Sequence, residues 1–320
     1  MATPLFDDRM RRRQKARNIL QGLLLFAAMV AAFALLVWLI FGLVGLLMVG
    51  VMAATVLLLR PRVPTRWMLA MYGAQPLPER AAPQLHRYVR ELTRRAGISR
   101  PPGLYYVASP IMNAFAVGRG NDAALAVTDG LLRGLTAREV VGVLAHEISH
   151  IRAGDTTIMS LSDAIGRLVQ GLSYVGIFVV VATLPLIVAG DLRPLLVAAV
   201  LIVLPTVVTL LQFALSRSRE YDADLEGASL TGDPEGLAGA LEALQYGDGR
   251  IWERILVPHG RVPDPLLLRT HPPTDERTRR LRALTPRRHR PLPTSGVRTA
   301  PAGYSRVVAS PRLRPPGIRW

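Results

Sequence analysis

The chain has 320 residues, half of them apolar, a formal charge of +16 and no cysteine, so disulfides and zinc–thiolate sites are excluded and any metal ligands must be histidines and carboxylates. A mean hydropathy of +0.27 is high for a wholly soluble chain and points to membrane segments. Much of the positive charge sits at the ends: residues 1–17 hold six basic and two acidic side chains, and 286–320 hold eight Arg and no acid. Membrane flanks and a basic tail explain that distribution more simply than nucleic-acid binding, which is not expected.

Behind the basic N-terminus (1–17), residues 18–59 run for 42 positions without a charge, where a single span needs about 20. Two transmembrane helices are predicted, turning near Phe41 to Gly45. Basic residues precede the run, and Arg60, Arg62 and Arg66 follow it, so both ends of this hairpin are expected in the cytoplasm. The run is far longer than the apolar core of a signal peptide.

Residues 60–167 form the first part of a soluble domain. Glu79 to Ala96 is predicted to be an amphipathic helix that buries Leu85, Tyr88, Val89 and Leu92 and leaves His86 and Glu91 on the surface. Leu104–Val107 and Ala123–Val127 are of strand type, and the Asn113–Gly120 stretch between them suggests a turn or an irregular edge. That edge, with Asn113, Ala114 and Phe115, either holds a substrate backbone as an added strand or is an ordinary structural loop.

The segment from Ala137 to Ile151 states a chemistry: His146-Glu147-Ile148-Ser149-His150. It is helical by pattern, with Thr136 as cap, Glu139 three residues on and a stripe of Val140, Val141, Val143, Leu144 and Ile148. Residues four apart share a helix face. His146 and His150 can therefore grip one metal ion, with Glu147 beside its open position as a base for water. A core helix whose polar groups are merely hydrogen-bonded is the plainer alternative, but Glu is rarely buried unpaired.

Ala153-Gly154-Asp155 breaks the pattern, and a linker is predicted as far as Arg167. Residues 168–216 form a second hairpin, two uncharged runs of 23 residues joined by Asp191-Leu192-Arg193, with Pro185 and Pro205 placed to kink its arms. The second part of the domain, 217–285, supplies the best third ligand, Glu220, and four residues on Asp224, able to accept the outer N–H of a ligand histidine. Further helix is predicted over 222–245, interrupted near Gly232-Asp233-Pro234, with a short apolar segment at Ile251–Leu256 and a basic helix ending near Leu284. His271 and Arg277 either donate to an oxyanion or brace the domain. The Pro/Arg-rich tail, 286–320, is predicted to be disordered.

Asn113-Ala114-Phe115, the His146–His150 motif, Asp155, the second hairpin, Arg219-Glu220-Tyr221-Asp222-Ala223-Asp224 and His271-Pro272-Pro273 together resemble the HtpX family of membrane zinc endopeptidases, relatives of the CAAX prenyl proteases, over roughly residues 15–285. The resemblance implies a mainly α membrane protein: four transmembrane helices in two hairpins, and a cytoplasmic gluzincin-like α+β zinc peptidase domain with a small sheet. It implies one Zn²⁺ per subunit held by His146, His150 and Glu220, Glu147 as catalytic base, and Asp155 and Asp224 behind the ligands. It also implies polypeptide substrates, location in the cell membrane with both termini cytoplasmic, and a role in membrane-protein quality control. The tail after Leu284 departs from a typical member. Two other classes stand beside this reading. A non-catalytic zinc-binding scaffold would be indifferent to Glu147→Gln, and a transporter-like bundle would carry charges inside its spans, where this chain has none.

Overall fold

The structure is a computed structural model that describes residues 8–59, 64–191, 193–255 and 274–284. His271, Leu256 and the tail 286–320 lie outside the described residues. The elements run α1 (Asp8–Leu59), α2 (Thr65–Met71), β1 (Gln75–Pro76), α3 (Pro83–Ala96), β2 (Gly103–Val107), β3 (Ala114–Val117), β4 (Ala124–Thr128), α4 (Asp129–Gly134), α5 (Ala137–Ala153), α6 (Asp155–Ala182), α7 (Leu184–Val188), α8 (Arg193–Thr231), α9 (Pro234–Ile255) and α10 (Thr274–Arg282).

The fold's centre is α5, whose start is fixed by the predicted capping box: Thr136 Oγ1 receives the Glu139 N–H, and the Glu139 carboxylate receives the Thr136 N–H. Val140, Leu144, Ala145 and Ile148 are wholly buried in the core that this helix shares with the sheet and α3. Gly154, at φ 73, closes the helix in the left-handed conformation, and α6 begins at once at Asp155. The linker expected up to Arg167 is thus helix. Its Thr and Ser residues resemble a loop in sequence, but Ser162 is fully buried, and its carbonyl accepts from Gln212 of α8.

The sheet has the order β1-β2-β4-β3, with β2 parallel to β4 and the other pairs antiparallel. Its strands alternate. Leu104, Tyr106, Ala114, Ala116, Leu125 and Val127 face the core shared with α3 and α5, while Val107, Val117 and Ala126 face Leu69 of α2. The stretch predicted as an irregular edge is the ordered edge strand β3, in register Ala114↔Val127 and Ala116↔Leu125. On α3, the predicted stripe of Leu85, Tyr88, Val89 and Leu92 is buried, whereas His86 is half-buried and bonded to the Leu77 carbonyl.

Among the described residues three helices are long and apolar enough to cross a membrane: Ala16–Thr55, Thr157–Ala182 and Pro194–Thr231. They bury Met29, Leu36, Ile165, Val169, Leu201, Val208 and Leu215 against one another and leave large side chains such as Leu24, Phe178 and Leu210 exposed outward. The expected count is four. The first helix, however, is 40 residues long and is interrupted at Gly42, with φ 65 and ψ −158, inside the predicted turn. Pro185 opens the short α7 between the second and third helices, and Pro205 lies within α8. That third helix continues into the soluble domain as far as Thr231 and stops at Gly232, as the sequence predicts.

Candidate metal centre

Two helices make the site. On α5, His146 and His150 stand one turn apart; on α8, Glu220 and Asp224 do the same. The helices approach closely because Gly227 of α8 has no side chain, and a Cβ there would lie 3.1 Å from the His146 backbone nitrogen. On its other side α5 meets α9, where Gly142 gives the same freedom against the Leu237 backbone.

The crossing brings one atom each from His146, His150 and Glu220 within 4.8 Å of one another. The two imidazole Nε2 atoms are 3.2 Å apart, and the Glu220 oxygens lie 3.4 Å from His146 and 3.6 Å from His150. Ligands on one tetrahedral zinc, with bonds of about 2.0–2.2 Å, stand about 3.3–3.5 Å from one another. The three side chains therefore fit a zinc-sized ion in distance and donor type. Their outer atoms are also placed. His146 Nδ1 is 3.1 Å from Asp224, and His150 Nδ1 is 2.9 Å from Asp155, the carboxylate–imidazole arrangement that orients metal-ligating histidines.

Arg277, brought in by α10, is buried behind Glu220 and Asp224. Its Nε and Nη2 each donate to Asp224 at 2.7 Å, and Nη1 lies 3.0 Å from Glu220. Burial disfavours its charge, but these carboxylates raise its pKa above the ordinary guanidinium value. Of the two roles the sequence leaves open for Arg277, its geometry is that of a brace. His146 is subject to the same contest. Burial works against its charge, yet the Asp224 and Glu220 carboxylates beside its two nitrogens outweigh that effect and raise its pKa to about 10 without metal.

Glu147 is held at the sheet edge, where its Oε2 accepts the Ala116 N–H of β3 at 3.1 Å. The backbone of Asn113 is tied to the Thr128 hydroxyl on both its N–H and its carbonyl. Ala114 is buried, and Phe115 turns to the α2 face, its ring 4.8 Å from that of Tyr72. Of the three candidate substrate residues in this stretch, which stand beside Arg277 as the fourth, the Phe115 ring lies on the sheet face away from α5. Two partners are illegible in the sequence. The Ala116 N–H leaves no side-chain signal, and Arg219, beside Glu220 in the motif, reaches Asp155 from the far side at 3.4 Å.

Residues 79–285 match peptidase family M48, a span that takes in the whole site. The chain belongs to peptidase family M48. Its M48 relatives include three named Protease HtpX homolog. That of Syntrophobacter fumaroxidans is 38% identical over 73% of this chain and 90% of its own length. That of Paraburkholderia phytofirmans is 34% identical over 82% and 96%, and that of Acidiphilium cryptum 39% over 69% and 80%. The crystal structure of S. mikatae Ste24p aligns with a TM-score of 0.42 and 21% identity over 85% of this chain and 66% of that one. As an M48 peptidase with long apolar helices, the protein is a membrane-bound metalloprotease, and the His146–His150–Glu220 group is its candidate metal centre.

Proposed function

We propose that the protein is a zinc endopeptidase that cleaves polypeptides at the cytoplasmic surface of the cell membrane, with membrane proteins in quality control as its substrate class. The observation that carries the reading is the convergence of His146, His150 and Glu220, with Asp155, Asp224 and Arg277 fixing their outer atoms. One zinc per subunit would be held by these three ligands, and when bound it supplies a Lewis acid that polarises a peptide carbonyl and acidifies water.

The rest is the chain's own work. Glu147, held by the Ala116 N–H, takes a proton from the attacking water and returns it to the leaving amine. A substrate backbone adds as a strand along β3, whose far side is the open edge of the sheet among the described residues. Asp224 and Asp155 keep the ligand nitrogens turned inward. Arg277 neutralises the two buried carboxylates, and His271 is left as the candidate donor to the tetrahedral oxyanion. The membrane part is read as four spans, which the Gly42 interruption supports, with both termini and the catalytic domain on the cytoplasmic side.

The test uses the detergent-solubilised full chain, stripped of metal and supplied again with zinc, with an unfolded casein and a membrane protein as substrates. Zinc should restore cleavage in the wild type but not in Glu147→Gln, which should still bind one zinc. Cleavage by Glu147→Gln would overturn the assignment of the base; one bound zinc with neither protein cleaving either substrate would favour the scaffold.

A further inference from the structure

On the side of α5 opposite Glu147, a cavity of about 630 Å³ lies where α1, α6 and α8 meet the end of that helix. Its size is that of a small-molecule pocket, about 300–1,000 Å³. Leu23 and Phe26 of α1, Ile158 and Leu161 of α6 and Leu215 of α8 make one wall apolar. Among the described residues these three helices are the ones long and apolar enough to cross a membrane, and the wall's exposed Leu23 and Leu161 belong to two of them.

The other end of the cavity is polar, and its central group is incompletely bonded. Arg219 is only 9% exposed. Its Nη1 and Nη2 reach Asp155 Oδ1 and the Asn18 carbonyl at 3.4 Å each, both long, and its Nε has no acceptor among the described residues. A guanidinium carries five N–H donors, and burying one unpaired is costly. Gly22 leaves room beside it, since a Cβ there would stand 2.6 Å from Nη2.

An apolar wall next to the bilayer with a buried donor at its end selects an amphiphile: a chain along the wall and an acceptor oxygen at Arg219. The other lining charges narrow the head group. Arg152 is ion-paired with Glu226, Asp222 accepts from Asn18, and Asp155 belongs to His150 and Arg219. With Asp155, Asp222 and Glu226 set against Arg152 and Arg219, the lining carries one more negative charge than positive, which opposes an anionic head. We propose that this cavity binds one zwitterionic membrane phospholipid, whose head oxygen accepts from Arg219 and so steadies Asp155 behind His150. The effect on the metal rests on the zinc reading above; the binding does not.

The full chain carrying Glu147→Gln, to prevent self-cleavage, is reconstituted in nanodiscs of mixed phosphatidylethanolamine and phosphatidylglycerol and released for native mass spectrometry. One phosphatidylethanolamine should stay bound. It should be lost from Leu161→Trp, which fills the cavity, and kept by Phe178→Trp, on the outward surface of α6. No retained lipid, equal loss from both variants, or preference for phosphatidylglycerol would each overturn the proposal. Chelator competition then reads the coupling: delipidation should weaken zinc binding about 10-fold, as disturbance behind a ligand does, and phosphatidylethanolamine should restore it. In Arg219→Gln zinc affinity should no longer respond to lipid; a wild-type affinity indifferent to lipid overturns the steadying role. Should zinc fail to bind at all, the peptidase reading falls while lipid retention still decides the cavity.

Discussion

Asp224 is shared by two cations, the outer nitrogen of His146 and the Arg277 guanidinium, and this sharing decides what each substitution does. Asp224→Asn keeps a hydrogen-bond acceptor but loses the charge that holds the imidazole, so zinc affinity measured by chelator competition should fall about 10- to 100-fold with the fold retained. Arg277→Met is harsher. It leaves Asp224 and Glu220 buried without their counter-charge, a loss of about 3–5 kcal/mol for breaking a buried pair, and should lower the unfolding temperature as well as zinc affinity.

His146 adds a pH dependence to the metal-free protein. Its folded pKa, about 10, lies above the ordinary value of 6.5, so its protonation stabilises the fold fully below about pH 6.5 and that contribution disappears as pH rises through 10. A ligand histidine must be neutral. Zinc binding at pH 7 to 8 should therefore release about one proton from His146, seen as a dependence of the calorimetric heat on the buffer's ionisation enthalpy. Heat independent of buffer would contradict the proton held between Asp224 and Glu220.

At the scale of the element, the site depends on how closely α8 lies across α5. Gly227→Leu should force the helices apart at His146, costing about 1–3 kcal/mol and separating Glu220 from both histidines, so that stability and zinc affinity fall together. An unchanged affinity would mean that the ligand set tolerates a wider crossing. What was legible in the sequence follows the reach of each element. The spacing His146–His150 and Glu220–Asp224, the Thr136–Glu139 cap and the stop at Gly232 are local and were readable. The start of α6 was not, because its Thr and Ser residues find partners only across the bundle: Ser162 meets Met29 and Gln212. Arg277 could be nominated but not assigned, since its role depends on α10 returning 53 residues later in the chain to Asp224. The edge strand β3 was hidden because its identity depends on pairing with β4, and its four residues carry no alternation of their own.

At the scale of the whole molecule, the number of spans decides where the active site can be. Asn18 is bonded to Asp222 beside the metal centre, and Thr65 is bonded to Asp122 in the same soluble domain. Between them, the helical stretch Ala16–Thr55 would extend about 60 Å if straight, at about 1.5 Å per residue, twice the hydrocarbon thickness of about 30 Å. The residues from Leu59 to Thr65 can cover only about 20 Å even fully extended, at about 3.3–3.6 Å each. A straight α1 would leave Leu59 too far away for Thr65 to return to its domain. The helix is interrupted at Gly42, where the four-span reading puts its turn. Because the chain contains no cysteine, single cysteines report their side of the membrane without a background. Placed at Ala16 and Arg66, they should label from the cytoplasmic face, and placed at Leu43 and Asp191, from the opposite face. If Ala16 and Arg66 label from opposite faces, the first segment crosses once, the four-span reading fails, and the N-terminal end of α1 can no longer lie beside Arg219 and the metal centre.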